Sequence, residues 1–344
     1  MIREAINRVV GGENLSEAEA EQVMDEIMTG QASPAQIAAL LTAMRLKGET
    51  VEEITGFART MRRHATPVRS GHPVLVDTCG TGGDGANTFN ISTAAALVLA
   101  GAGVPVAKHG NRSVSSRCGS ADVLEALGVN LDLSPAAMAE CLDRVGIAFL
   151  FAPALHKAMK HAAGPRREIG IRTVFNILGP LTNPAGASAQ VVGVYSVDLV
   201  PRVARVLSRL GVRRAFVVHG AGGLDEISLA GPAVVAEVQG EEVREYTLDP
   251  ADYGFSRYPV QALSGGTPEQ NAAMIGEILQ GMPGPQRDAV ILNAALGLLA
   301  AGRAGDLSSA LATAAGSIDS GAARDRLEHL VAFTRRAGRQ VAGI

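Results

Sequence analysis

Residues 77–120 read DTCGTGGDGANTFNISTAAALVLAGAGVPVAKHGNRSVSSRCGS. Four glycines, Gly80, Gly82, Gly83 and Gly85, directly follow the apolar run Val74-Leu75-Val76 and its short polar extension. Glycine allows positive φ and lets a ligand approach the backbone closely. Asn90-Ile91-Ser92-Thr93 then opens the helix-forming run Ala94-Ala95-Ala96. A strand, a glycine loop and a helix start together aim backbone N–H groups at a phosphate. A second apolar run, Val104-Pro105-Val106-Ala107, leads into Lys108-His109-Gly110-Asn111-Arg112-Ser113-Val114-Ser115-Ser116. That segment sets two cations beside several hydrogen-bond donors. Two donor-rich loops after successive strands can converge on one ligand, which should be a polyanion. Taken alone, the glycine cluster also fits an ordinary tight turn, and it matches neither G-x-x-x-x-G-K-[ST] nor G-x-G-x-x-G.

Outward from this stretch, strand-like and helix-like runs alternate. Strands are expected near 74–78, 104–107, 147–151, 190–195 and 214–218, with a hairpin at 233–238 and 242–247 around Gly240. Helices are expected near 91–100, 120–127, 134–145 and 198–210, then at 268–280, 288–302, 306–316 and 322–337. This alternation predicts a mostly parallel sheet flanked by helices, with ligands gathering at the carboxyl ends of its strands. Residues 1–65 read as helices only. Ser16…Glu19, Ser33…Gln36 and Thr50…Glu53 are capping boxes. The fold class is therefore α/β: a small N-terminal all-helical domain plus a larger α/β domain with a mostly parallel central sheet flanked by helices. Ile37, Leu40, Leu41 and Met44 form an apolar stripe at helical spacing. A small helical unit cannot bury every apolar face alone, so a homodimer through this domain is expected.

Composition narrows the function classes. The 344 residues are 47% hydrophobic and only 3% aromatic, with a formal net charge of −3 and no long basic block. A nucleic-acid binder needs a basic face and stacking rings, so no nucleic-acid partner is expected. No apolar run approaches the ~18–20 residues of a membrane span, so no membrane partner is expected. Cys79, Cys118 and Cys141 show no metal-ligand spacing, and an odd cysteine count fits a reducing, cytoplasmic location.

Six motifs occur in order: GTGGDG (80–85), NIST (90–93), KHGNRSVSS (108–116), GSADVLEALG (119–128), RREIGIRTVFNILGPLTNPA (166–185) and GLDEIS (223–228). Together they resemble the anthranilate phosphoribosyltransferase family over essentially the whole chain. The resemblance implies transfer of phosphoribose from phosphoribosyl pyrophosphate to anthranilate, an early step of tryptophan biosynthesis. It also implies a helical domain of residues 1–70 rejoined by about 165–187, with 71–164 and 188–344 forming the α/β domain.

The residues that the resemblance assigns to phosphoribosyl pyrophosphate are Gly80, Gly83, Asp84, Thr88, Asn90, Ile91, Ser92, Thr93, Lys108, His109, Gly110, Asn111, Arg112, Ser113, Val114, Ser115, Ser116 and Ser120. Anthranilate falls to Gly80, Asn111 and Arg166. Two Mg2+ ions per subunit fall to Ser92, Asp225 and Glu226. Physical chemistry supports most of this. Backbone donors and Lys108 suit phosphates, a forked guanidinium suits a carboxylate, and magnesium takes oxygen ligands shared with phosphates and water. Asp84 would repel pyrophosphate unless it orders the loop or accepts from ribose, and a turn-forming Asp is the plainer reading. Without the motif order, Asp225-Glu226 would read as a solvated turn and Arg166-Arg167 as a surface basic pair. His109 and His156 are expected near the site, and Pro180 as an apolar wall against the aromatic ring. No general base is assigned, because an aromatic amine is already neutral and nucleophilic near pH 7. The family usually reads Ala-Pro-Val-Arg-Arg where this chain has Ala163-Gly164-Pro165-Arg166-Arg167, which alters the approach to Arg166. Pyrimidine nucleoside phosphorylase, or a non-catalytic nucleic-acid-binding relative on the same fold, is the alternative.

Overall fold

The computed structural model describes residues 1–113 and 117–341. Four helices come first: α1 (Ile2–Val10), α2 (Glu17–Met28), α3 (Pro34–Lys47) and α4 (Val51–His64). All three expected capping boxes form, with Ser16, Ser33 and Thr50 each accepting from the backbone three residues on. The sheet comprises β1 (Val76–Gly80), β2 (Val106–Gly110), β3 (Ile147–Phe151), β4 (Ala189–Gly193), β5 (Arg214–His219), β6 (Ala233–Gln239) and β7 (Glu242–Leu248). Its order is β3-β2-β1-β4-β5-β6-β7. Strands β1 to β5 run parallel, and β6 and β7 return antiparallel as the expected hairpin.

The remaining helices are α5 (Ile91–Gly101), α6 (Ser120–Ala126), α7 (Pro135–Val145), α8 (Ala152–Leu155), α9 (Lys160–Ile169), α10 (Val174–Leu181), α11 (Leu199–Arg209), α12 (Pro268–Leu279), α13 (Pro285–Ala300), α14 (Leu307–Asp319) and α15 (Ala322–Val341). Period-two alternation divides each central strand between two cores. Phe216 and Val218 of β5, with Val235 of β6, face the core built on α5, α13 and α15. Ala215, Val217, Ala236 and Val238 face the other core, which they share with α11, α10 and the N-terminal helices. The helical unit is thus fused to one face of the sheet by a continuous apolar layer.

That layer corrects one expectation. Ile37, Leu40, Leu41 and Met44 are each at most 1% exposed and face this inner core, not a free surface. The apolar face that the first four helices cannot bury among themselves is covered by α9, α10 and α11. Arg62 of α4 closes the joint. Its guanidinium donates to Leu181 O and Leu210 O, at the C-terminal ends of α10 and α11, where helix dipoles favour a cation. Burial pushes its pKa down to about 10.

Strands β1 and β2 lie two residues later than expected. Lys108 and His109 therefore belong to β2 itself, paired in register with Phe149 and Leu150. Polar side chains enter the sheet here because each finds a buried partner. The Gly164-Pro165 and Gly179-Pro180 pairs also do not break the chain: both lie inside helices, α9 and α10.

Candidate active site

The carboxyl ends of β1, β4 and β5 are each marked by a glycine, and all three glycines press on one segment. A Cβ at Gly80 would lie 2.2 Å from Asp225 Oδ2, at Gly193 1.5 Å from Asp225 O, and at Gly220 2.0 Å from Glu226 O. Contacts that short do not exist, so only glycine lets Asp225-Glu226 settle against the strand ends. Gly82, at φ 63, turns its N–H onto Asp225 Oδ2 at 2.7 Å. Asp84 accepts from Ala86 N at 3.0 Å, which is its turn-forming role, and its charge acts on the Asp225 carboxyl. Glu226 hydrogen-bonds to Ser92 in the first turn of α5.

Asp84 of the glycine loop and the Asp225-Glu226 pair are thus brought near one another, and Glu226 reaches the Ser92 hydroxyl. Their surroundings raise Asp225 and Glu226 well above the usual carboxylate range. Burial is the main cause; the Asp84 charge adds to both, and Asp225 adds to Glu226. Both residues remain partly open to solvent at the sheet edge. This is an oxygen-rich, anionic site that a hard cation would relieve. Among the described residues no group of three or more His, Cys, Asp or Glu stands ready to hold a metal by itself.

Lys108 lies beneath this cluster and does not project into a loop. Its Nζ donates to Thr78 O at 2.5 Å and lies 3.4 Å from Ser92 Oγ. It shares a buried layer with Asp77, whose carboxylate accepts from His109 N at 3.0 Å and Asn183 Nδ2 at 2.8 Å. Burial pulls the lysine pKa down and the aspartate pKa up, and each charge partly offsets the effect on the other. The second cation of this segment, Arg112, is engaged as well. That guanidinium is held by Asp122 at 3.0 Å and by Glu125 at 2.5 and 2.9 Å, over the ring of Phe151.

The other assigned residues fall into groups. Ile91 and Thr93 are 1% exposed, so their side chains belong to the core and only their backbone faces the loop. Helix α5 carries no side-chain cap; Asn90 instead donates to Cys118 O and accepts from Asn271 Nδ2. Thr88 bridges to Ser264 beside the glycine loop. Gly110 ends β2, where a Cβ would meet Ser120 Oγ at 2.2 Å. Ser120 Oγ donates to Asn111 O, and Asp122 accepts from Ser113 N and Gly119 N, pinning both ends of the loop to α6. Val114, Ser115 and Ser116 lie outside the described residues.

On the opposite face of β2, the His109 ring packs against His156 with centroids 5.1 Å apart. His109 Nδ1 pairs with Gly179 O at 3.2 Å, and His156 bonds the Thr182 backbone. Burial pushes the two pKa values down to about 3 and about 4. Both rings are therefore neutral near pH 7, and their Nε2 atoms reach no partner. His109 is thus no cationic phosphate ligand. A stability consequence follows. The unfolded chain binds these protons near pH 6.5 and the folded chain only far lower, so this stability is present above about pH 6.5 and lost as pH falls towards 4. Relative to the parent, His156→Phe should gain about 1.4 kcal/mol for each pH unit between about 6 and about 4 and no more below that, read by denaturant unfolding at several pH values.

Arg166 lies in α9 with its guanidinium over the Phe175 ring, 4.9 Å from the centroid. Burial lowers its pKa, and no acidic side chain pairs with it among the described residues. Neither Gly80 nor Asn111 hydrogen-bonds to it. Pro180 is buried within α10, its carbonyl accepting from Gln190 Nε2. Sequence reasoning missed Asp77 and Arg172. A lone acid within VLVDTCG was the available signal for Asp77; Arg172, which donates to Gly83 O at 2.8 Å, had none.

Residues 72–324 match the glycosyl transferase family, a/b domain, and residues 3–65 its helical bundle domain. An anthranilate phosphoribosyltransferase from Pelotomaculum thermopropionicum is 69% identical over 334 residues, 97% of either chain. The chain belongs to the anthranilate phosphoribosyltransferase family. A crystal structure of the anthranilate phosphoribosyltransferase from Thermus thermophilus matches with a TM-score of 0.91 at 49% identity, covering 96% of this chain and 99% of that one. The anthranilate phosphoribosyltransferase from Saccharomyces cerevisiae, in complex with PRPP and Mg, matches with a TM-score of 0.90 at 28% identity, covering 97% and 98%. The membership read from the six motifs is borne out, and the nucleoside phosphorylase alternative finds no support.

Proposed function

We propose that this chain joins the amine of anthranilate to C1 of phosphoribosyl pyrophosphate. The new C1–N bond forms as the C1–O bond to pyrophosphate breaks, and the amine loses a proton. The observation that carries this reading is the meeting of Asp84, Asp225, Glu226 and Ser92 beside a glycine loop at the strand ends, in a chain of this family. The transition state should be oxocarbenium-like with charge building on the leaving group, so the protein's task is alignment and charge stabilisation.

Ser92, Asp225 and Glu226 would hold Mg2+, two ions per subunit. Their oxygen donors and their mutual repulsion fit a hard cation that takes its remaining ligands from phosphates and water. When bound, magnesium offsets the charge that develops on pyrophosphate. Gly80, Gly83, Asp84, Thr88, Asn90 to Thr93, Lys108 to Ser116 and Ser120 form the phosphoribosyl pyrophosphate site. Within it, Lys108 acts from below by orienting Ser92, and Arg112 must exchange carboxylates for phosphate. Asn111, Arg166 and the Gly80 backbone hold anthranilate. Arg166 is suited because its desolvated cation has no acidic partner among the described residues, and a carboxylate would supply one. Pyrophosphate release that requires anthranilate, with the ribosylated amine found by mass spectrometry, tests the reaction.

The helical domain, taken as residues 1–70 with 165–187, is also the surface on which we place a homodimer. Val10 is 71% exposed on α1 and Leu46 84% exposed on the adjoining α3. Val10→Glu with Leu46→Glu should give a monomer by light scattering, and a persistent dimer would place the interface elsewhere. A cytoplasmic location fits the cysteines, all three of them free thiols. No helix among the described residues is long and apolar enough to cross a membrane.

A further inference from the structure

The glycine loop is gripped from two sides. On its inner side Gly82 N donates to Asp225 Oδ2. On its outer side Arg172, in the link between α9 and α10, donates Nη1 to Gly83 O at 2.8 Å. The same guanidinium lies over the Tyr195 ring, 4.7 Å from the centroid. Tyr195 is itself tied to the loop, its N–H donating to Thr81 Oγ1 at 3.1 Å while Thr81 N donates to Gly193 O at 2.9 Å. No carboxylate pairs with Arg172 among the described residues, unlike Arg112. Its planar fork thus serves one backbone carbonyl and one aromatic face.

The geometry has two consequences. A trans peptide points its C=O and N–H in opposite directions. Holding Gly83 O therefore fixes the orientation of the Gly83–Asp84 peptide, and with it the direction of the Asp84 N–H. Arg172 is also six residues from Arg166, and only the short link from Gly170 to Thr173 separates the two helices that carry Arg166 and Phe175. The Arg172–Gly83 hydrogen bond joins the glycine loop to that link directly.

We propose that Arg172 is a positioning residue that couples occupation of the glycine loop to the anthranilate side of the site, so that each substrate strengthens binding of the other. This rests on the reaction proposed above. The coupling is reciprocal by thermodynamic necessity and should reach at least about 5-fold.

The test uses the full chain and a non-reacting occupant of the loop, inorganic pyrophosphate with Mg2+. The Kd of anthranilate is read by its fluorescence with and without that occupant. In the parent, pyrophosphate with Mg2+ should tighten anthranilate at least about 5-fold. In Arg172→Ala the ratio should fall to near one. Tyr195→Leu, which removes the stacking face but leaves the cation, should retain part of it. If Arg172→Ala keeps the parent's ratio, or if the parent shows none, the coupling role is overturned. Should Arg172→Ala fail to fold, an unchanged ratio in Tyr195→Leu does the same. Turnover of the parent with both substrates is measured alongside: absent turnover defeats the reaction itself, whereas normal turnover with an unmoved ratio defeats only the role of Arg172.

Discussion

Converting Asp225 to Asn and Glu226 to Gln should lower turnover at least about 10³-fold while leaving the fold intact. The two carboxyls are held at the carboxyl ends of the strands by glycines that tolerate no side chain, and both are pushed up by burial, with the Asp84 charge adding to both and Asp225 adding to Glu226. The sign of the stability effect follows. A carboxyl whose folded pKa exceeds its unfolded value of about 4 stabilises the fold while protonated, and that stability is lost as pH rises through the folded value. Without magnesium, the double amide should therefore melt higher than the parent, with a gap that widens as pH rises from about 4 through neutrality. With magnesium and phosphoribosyl pyrophosphate the order should reverse, because only the parent gains stability from the ligands. Thermal melts at pH 6 and 8, with and without both ligands, check this. An amide variant that retains its magnesium-dependent turnover would remove Asp225 and Glu226 from the metal site.

Arg166→Ala should raise the anthranilate KM by about 10- to 100-fold, the range expected when a charge-assisted hydrogen bond to a bound carboxylate is lost. The KM for phosphoribosyl pyrophosphate, measured at saturating anthranilate, should change by less than about 2-fold, since the neighbouring subsite is then filled in parent and variant alike. The unliganded fold should be nearly unaffected, because Arg166 has no acidic partner to abandon and only its packing on Phe175 is lost. Steady-state kinetics with each substrate varied in turn separates the cases. Equal increases in both KM values would assign Arg166 to the phosphates or to the interdomain joint.

Much of the fold was legible because local rules and tertiary packing agree. Ser16, Ser33 and Thr50 cap the helices they were expected to cap. Strand-helix alternation gave the parallel sheet, and Gly240 marked the hairpin. The misplacements share a physical cause. Lys108 and His109 look like loop residues because ionisable groups rarely enter a sheet. They do so here only because Thr78, Asp77 and Gly179, remote in sequence, provide partners. Ile37, Leu40, Leu41 and Met44 were correctly read as an apolar stripe, but periodicity cannot say what covers a stripe, and α9 to α11 cover this one. Pro165 and Pro180 both sit inside helices, α9 and α10.

At the site, the carboxylates were found through motif order and not through pattern. Asp225-Glu226 on its own is a common turn. Its significance comes from Gly80, Gly193 and Gly220, which approach it from three strand ends. Only the fold brings those glycines together. Arg172 was invisible for the same reason: its partners, Gly83 and Tyr195, lie in two distant segments.

The most direct test is the fluorescence of anthranilate mixed with the purified protein, phosphoribosyl pyrophosphate and magnesium. The fluorescence should decay only when all three additions are present, and the decay should disappear with the Asp225→Asn, Glu226→Gln variant. Unchanging fluorescence from a folded, ligand-competent protein would contradict it.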